Sequence, residues 1–212
     1  MTYQVKEIFY TLQGEGYHSG RSSVFCRFTG CNLWTGREQD RLNALCKFCD
    51  TDFVGTNGIS GGKYASADEL ADRICEIWRM ENSDERPFVV LTGGEPLLQV
   101  DSALISCLHA NYCEIAVETN GTIIPPEGID WLCCSPKAGA ALKIRRGNEL
   151  KVVFPQIGID PTELNGLDFD HFYLQPMDGP MRDKNCNAAV QYCKRNPRWK
   201  LSLQTHKILG IP

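Results

Sequence analysis

Cys31, Cys46 and Cys49 stand in the spacing C-x14-C-x2-C. Two residues between thiolates let both sulfurs face one metal site, so Cys46 and Cys49 form a good chelating bite. Cys26 lies a short way upstream and leaves two arrangements open. With it, four thiolates could close a tetrahedral zinc site; without it, three thiolates could hold a [4Fe–4S] cluster whose fourth iron stays open to a ligand. Strand alternation favours the second. In Ser22–Phe28, Val24, Cys26 and Phe28 point to one face while Ser23, Phe25 and Arg27 point to the other, which makes Cys26 a small buried hydrophobe. Cys75, Cys107, Cys113, Cys133, Cys134, Cys186 and Cys193 fall within or beside helix and strand patterns and are expected to fill the core.

The elements around these thiols read as an alternation. Strands are expected at Tyr3–Phe9, Ser22–Phe28, Phe88–Leu91, Glu114–Val117, Asp130–Cys134, Leu150–Phe154, His171–Leu174 and Lys200–Leu203. Ser66-Ala67-Asp68-Glu69 is a capping box opening a helix with Leu70, Ile74, Ile77 and Trp78 on its apolar face. A second helix should follow Thr92-Gly93-Gly94-Glu95-Pro96 and run to about His109, with Leu97, Val100, Leu104 and Leu108 on its buried side, and a third should run from about Asn185 to Arg195. The long stretch from Thr29 to about Ala65 has little periodicity, and a loop of that length is usually functional. Short apolar strands alternating with helices imply a mostly parallel sheet. The chain falls short of the roughly 250 residues of a closed eight-fold barrel, so the expected architecture is α/β, an incomplete (β/α) barrel. Polar motifs follow the strands: Gly93-Gly94-Glu95, Glu118-Thr119-Asn120, Ser135-Pro136-Lys137, Gln175-Pro176-Met177 and Gln204-Thr205-His206-Lys207. Parallel strands would gather all of them on one rim.

Composition narrows the class. The 212 residues carry 42% hydrophobic and 23% charged side chains, which suits a single globular domain over 1–212 and excludes a collagen or a mostly disordered chain. A net charge of −4 argues against nucleic acid as a partner. No window approaches the roughly 18 apolar residues of a membrane span, and the N-terminus lacks the basic-then-apolar order of a signal peptide. The eleven cysteines are an odd number, so they cannot all pair. In a chain without a secretion signal, that points to a cytoplasmic protein with metal or redox chemistry.

Taken together, three cysteines ending in C-x2-C, Phe48 before the last of them, and Gly93-Gly94-Glu95-Pro96 after a strand resemble the radical S-adenosylmethionine (SAM) signature. The fourteen-residue first spacing, Gln13-Gly14-Glu15-Gly16, Cys49-Asp50-Thr51 and Gln204-Thr205-His206-Lys207 are similar to one branch, the 7-carboxy-7-deazaguanine synthases. That resemblance implies a radical SAM lyase with a [4Fe–4S] cluster on Cys31, Cys46 and Cys49 in an enlarged loop at about 29–65. It implies SAM held by Phe48, Thr92, Gly93, Gly94, Glu95, Ser135, Lys137 and Gln175. The implied substrate is 6-carboxy-5,6,7,8-tetrahydropterin, met by Leu12, Gln13, Gly14, Glu15, Gly16, Arg27, His206 and the terminal Pro212. The product would be 7-carboxy-7-deazaguanine, released with ammonia toward queuosine and related deazapurines. Thr51 would ligate Mg2+, backed by Asp50. A homodimer and a flavodoxin-like one-electron donor are also implied. A radical SAM activase acting on a protein, and a zinc-stabilised binding module using Cys26, are the competing readings.

Overall fold

Period-two alternation in the strands sorts their side chains into two layers, and that sorting builds the molecule. The computed structural model describes residues 2–81 and 85–212. The strands are β1 (Tyr3–Leu12), β2 (Ser22–Phe28), β3 (Gly62–Tyr64), β4 (Phe88–Gly93), β5 (Glu114–Thr119), β6 (Trp131–Cys134), β7 (Arg146–Phe154), β8 (Asp168–Pro176) and β9 (Trp199–Leu201). They form one sheet in the order β3-β1-β2-β4-β5-β6-β7-β8-β9. From β2 to β9 every neighbour is parallel, while β1 runs antiparallel to both β2 and β3. The sheet keeps two edges, β3 and β9, so the barrel is incomplete. Its open side is bridged by loops: Gly16 N–H donates to Ser202 Oγ at 2.9 Å and Thr205 N–H to the Gly14 carbonyl at 2.9 Å.

The helices are α1 (Ala67–Glu81), α2 (Ser102–Ala110), α3 (Arg182–Arg195) and the short α4 (Thr205–Leu209). Helices α1, α2 and α3 cover the outer face of the sheet. Val24, Cys26 and Phe28 of β2, Val89 and Leu91 of β4, Ile115 and Val117 of β5, and Leu150 and Val152 of β7 meet Leu70, Ile74, Leu104 and Leu108 there. The alternate residues, among them Arg27, Thr92, Glu118, Lys151 and Gln175, face inward and line a cavity. Apolar burial on the outer face thus holds a polar inner face in register.

The expected architecture is the one observed, with local differences. Ser66 Oγ caps the N–H of Glu69 at 3.1 Å, but the Glu69 carboxylate reaches back to Ala65 N–H at 2.7 Å, one residue beyond the capping box. The helix expected between Pro96 and His109 is two pieces, a 3-10 turn at Pro96–Leu98 and then α2. Asp101 separates them because its carboxylate caps Leu104 N–H at 3.0 Å and starts a new helix. The long loop holds two unexpected elements, a 3-10 turn at Glu38–Asn43 and β3 paired to β1. Arg41 gives the loop its shape, lying over the Trp34 ring at 4.0 Å and donating to the carbonyls of Lys47 and Cys49.

Cys26 is fully buried among the outer-face apolar side chains, with burial pushing its thiol pKa well up. Cys26→Ala should therefore cost about 1 kcal/mol in urea denaturation and leave the iron content of reconstituted protein unchanged. Loss of iron would restore the four-thiolate arrangement.

Candidate active site

A cavity of about 330 Å³ opens where the parallel strands end. Its wall includes Cys31, Cys46, Phe48, Cys49 and Thr51 from the long loop, Thr92, Gly93 and Gly94 from the end of β4, and Ser135 and Lys137 after β6. Leu12, Gln13, Gly14, Glu15, Arg27, Gln175, His206 and Pro212 complete the set that sequence reasoning singled out. Two of its members are not on the wall, Glu95 and Gly16. The Pro212 carbonyl is tied to β1 by Thr11 Oγ1 at 2.8 Å, which keeps Pro212 beside the cavity.

The donor set suits an iron–sulfur cluster. All three loop cysteines are free thiols on one cavity, and Cys31 and Cys49 pack against the small apolar group of Trp34, Ala44 and Phe53. A hydrogen bond from Cys46 holds the Cys49 thiol down at about 6, against the push of burial, with help from the Thr51 N–H. Among the described residues no three His, Cys, Asp or Glu side chains gather closely enough for a single metal ion. A four-iron cube takes each thiolate on a different iron, and three sulfurs ranged around one cavity meet that requirement. Cys26 points to the opposite face of the sheet and cannot join them.

Glu95 was expected to add charge beside SAM. It is instead fully buried beneath the rim. One carboxylate oxygen accepts from Leu97 N–H at 3.0 Å and Thr119 Oγ1 at 2.8 Å; the other accepts from Asn120 N–H at 2.8 Å. Burial raises its pKa, opposed by these donors. The glycines before it have a mechanical reason as well. A Cβ on Gly93 (φ +134°) would meet the Phe28 carbonyl at 2.2 Å, and one on Gly94 the Gly30 carbonyl at 2.1 Å. Their bareness lets the end of β4 close onto the start of the cysteine loop, where Glu95 N–H donates to the Gly30 carbonyl at 2.9 Å. Gly16 makes similar room: a Cβ there would meet Glu149 Oε1 at 2.0 Å, so its neighbour is a buried carboxylate and not the cavity.

The same cavity has a charged floor that sequence reasoning left incomplete. Lys151 of β7 is buried, 2.6 Å from Glu15 Oε2 and 3.4 Å from Glu118 Oε1. Glu15 also accepts from the amides of Gln175 and Gln204, each at 3.0 Å. Burial alone would raise the Glu15 pKa, but the Lys151 ammonium and these donors hold it at about 2. A lysine inside the apolar run Leu150–Val153 is the signal that could have revealed this floor. At the rim, Arg27 Nε donates to Glu7 Oε1 at 2.8 Å, and Lys137 Nζ is tethered to the Ser135 hydroxyl and carbonyl at 2.7 Å each. Lys207 of α4 reaches both Asp50 and Asp178, while Asn32 bonds Asn120 and Thr122, tying the cysteine loop to the end of β5.

An open (β/α) sheet carrying three loop thiolates and a Gly-Gly turn on one rim is the architecture of a radical SAM enzyme. No protein-family model matches the chain. It is 63% identical to the 7-carboxy-7-deazaguanine synthase of Bradyrhizobium diazoefficiens and 58% identical to that of Bordetella pertussis, in each case over 100% of both chains. Its fold matches the crystal structure of QueE from Escherichia coli with a TM-score of 0.71 and 26% identity, covering 96% of this chain and 94% of that one. The chain belongs to the 7-carboxy-7-deazaguanine synthase family, lyases of the radical SAM type that carry a [4Fe–4S] cluster and SAM.

In Glu95→Gln the amide NH2 would face the Asn120 N–H, donor against donor. A loss of about 1–3 kcal/mol in urea denaturation is expected, with SAM affinity retained by the folded fraction. Lost SAM affinity at unchanged stability would return Glu95 to the ligand.

Proposed function

We propose that this single 1–212 domain converts 6-carboxy-5,6,7,8-tetrahydropterin to 7-carboxy-7-deazaguanine and ammonia in the cavity described above, a step toward queuosine and related deazapurines. The observation that carries the reading is the division of one cavity into a thiolate wall and a carboxylate floor, with Arg27 at the rim. Bound on Cys31, Cys46 and Cys49, the cluster would supply the electron that cleaves SAM to the 5′-deoxyadenosyl radical, which takes a substrate hydrogen. The chain's own part is to bind, orient and exclude water.

Phe48, Thr92, Gly93, Gly94, Ser135, Lys137 and Gln175 are positioned to hold SAM, with the tethered ammonium of Lys137 suited to its carboxylate. Among the described residues, Arg27 spends only its Nε on a protein partner, which leaves the terminal guanidinium nitrogens for the substrate carboxylate. Gln13 and Glu15 would read the amino-pyrimidinone edge, since a carboxylate accepts from paired N–H donors. Leu12, Gly14, His206 and Pro212 would frame the same ligand. Thr51 lines the cavity two residues after Cys49 and would give Mg2+ one direct oxygen. Water and substrate would supply the rest, as this ion commonly requires. A flavodoxin-like donor, a homodimer and the cytoplasm complete the reading. In the structure, no helix among the described residues is long and apolar enough to cross a membrane.

The test is turnover by anaerobically reconstituted protein with SAM, reductant and the carboxypterin. Deazapurine and ammonia are expected. Cys31→Ala, Cys46→Ala and Cys49→Ala should each abolish product, and Arg27→Ala should raise KM by about tenfold or more. Brown, SAM-cleaving protein that leaves the pterin untouched would overturn the reading.

A further inference from the structure

The cavity floor contains a buried cation that no step above uses. Lys151 sits on the inward face of β7, its side chain only 6% exposed. Its ammonium touches carboxylates from two other parts of the chain, Glu15 after β1 and Glu118 at the end of β5. Glu118 Oε1 also accepts from Gln13 Nε2 at 3.1 Å. Glu149, two residues before Lys151 on the same strand face, is buried and accepts from Tyr17 N–H at 3.1 Å. One ammonium therefore pairs two carboxylates and has a third on its own strand face.

We propose that Lys151 is a positioning residue for substrate recognition: it holds Glu15 and Glu118 as paired acceptors, so that the floor takes the N–H-rich edge of the ligand and turns its carboxylate away. This rests on the reading that a pterin occupies the cavity. Without Lys151, two carboxylates facing one desolvated space would repel each other or take up a proton, and a protonated carboxyl presents a donor where the ligand needs an acceptor. The polarity extends across the site. Three strands of the sheet, β4, β5 and β6, separate the Lys151 strand from the Arg27 strand, so the acceptor floor and the terminal guanidinium nitrogens of Arg27 lie on well-separated strands. A ligand with a donor edge and a carboxylate at opposite ends fits one way round. Lysine suits the task because a single point charge serves two carboxylates from different elements, whereas the flat fork of arginine is matched to one.

The pH behaviour follows with a definite sign. The groups acting on Glu15 are Lys151 from β7, Gln175 from β8, Gln204 before α4 and His206 on α4, while Glu118 and Glu149 act on Lys151 itself. Lys151 leads the influences that oppose burial there, so its removal lets the Glu15 pKa climb and its carboxyl protonate as pH falls.

The experiment measures equilibrium binding of 6-carboxy-5,6,7,8-tetrahydropterin and, separately, of SAM to the anaerobically reconstituted enzyme between about pH 5.5 and pH 8. For Lys151→Met, pterin affinity should fall at least about tenfold near neutrality and further toward acid, a limb the wild type lacks, while SAM affinity holds. KM should rise more than kcat falls. Lys151→Met combined with Glu118→Gln removes the surplus negative charge, provides a folded protein if the single variant is unstable, and should show the same selective loss of pterin. Wild-type pterin affinity and pH profile in both variants would overturn the proposal while leaving the substrate reading intact. A wild type that binds SAM but no pterin would remove both.

Discussion

The shape of the active-site rim depends on one buried carboxylate. Glu95 is fully buried and, among the described residues, has no cation bonded to it, yet it binds the ends of two neighbouring strands through Leu97, Thr119 and Asn120. Burying such a group is expensive unless its oxygens are filled, and here three donors fill them. The arrangement turns β4 and β5 into a single frame. Asn120, so placed, bonds Asn32 in the cysteine loop, so the position of the thiols is set from below.

The same logic explains why two glycines precede Glu95. They let the backbone of β4 approach that of Phe28 and Gly30 within the distance a side chain would occupy. The β2–β4 pairing then continues past the strands into hydrogen bonds between the Gly-Gly turn and the start of the cysteine loop. A motif that sequence reasoning associates with contact to SAM thus has a prior mechanical duty. The cavity face of the turn is available to a ligand because its other face is locked.

What could be read in the sequence follows from the range of the interactions involved. Alternation along a strand is local, so the inward side of Arg27 and the outward side of Cys26 were both legible, as was the gathering of polar motifs on one rim. Interactions that depend on distant partners were not. β3 is three residues long and exists because β1 offers an edge, and the break before α2 depends on Asp101, whose capping role competes with helix continuation. Glu95 looked like a ligand because its motif sits on the rim, although its side chain turns under it. Lys151 was hidden for a related reason: in an apolar strand it reads as an exposed interruption, and only the curvature of the sheet brings Glu15 and Glu118 around it.

The floor and the rim also differ in how their charges are balanced, and the difference bears on what each can do. At the rim, Lys207 stands between Asp50 and Asp178, and these side chains are partly exposed. Water and salt screen them, so their pairing contributes little stability. At the floor, Lys151, Glu15 and Glu149 are shielded from solvent, the same charges interact far more strongly, and rearrangement would leave one of them unpaired. A floor of strongly coupled charges beneath a rim of screened ones suits an enzyme that must admit two ligands and then hold one hydrogen of the second in a fixed place, because the charges that resist rearrangement stand where the substrate's orientation is decided.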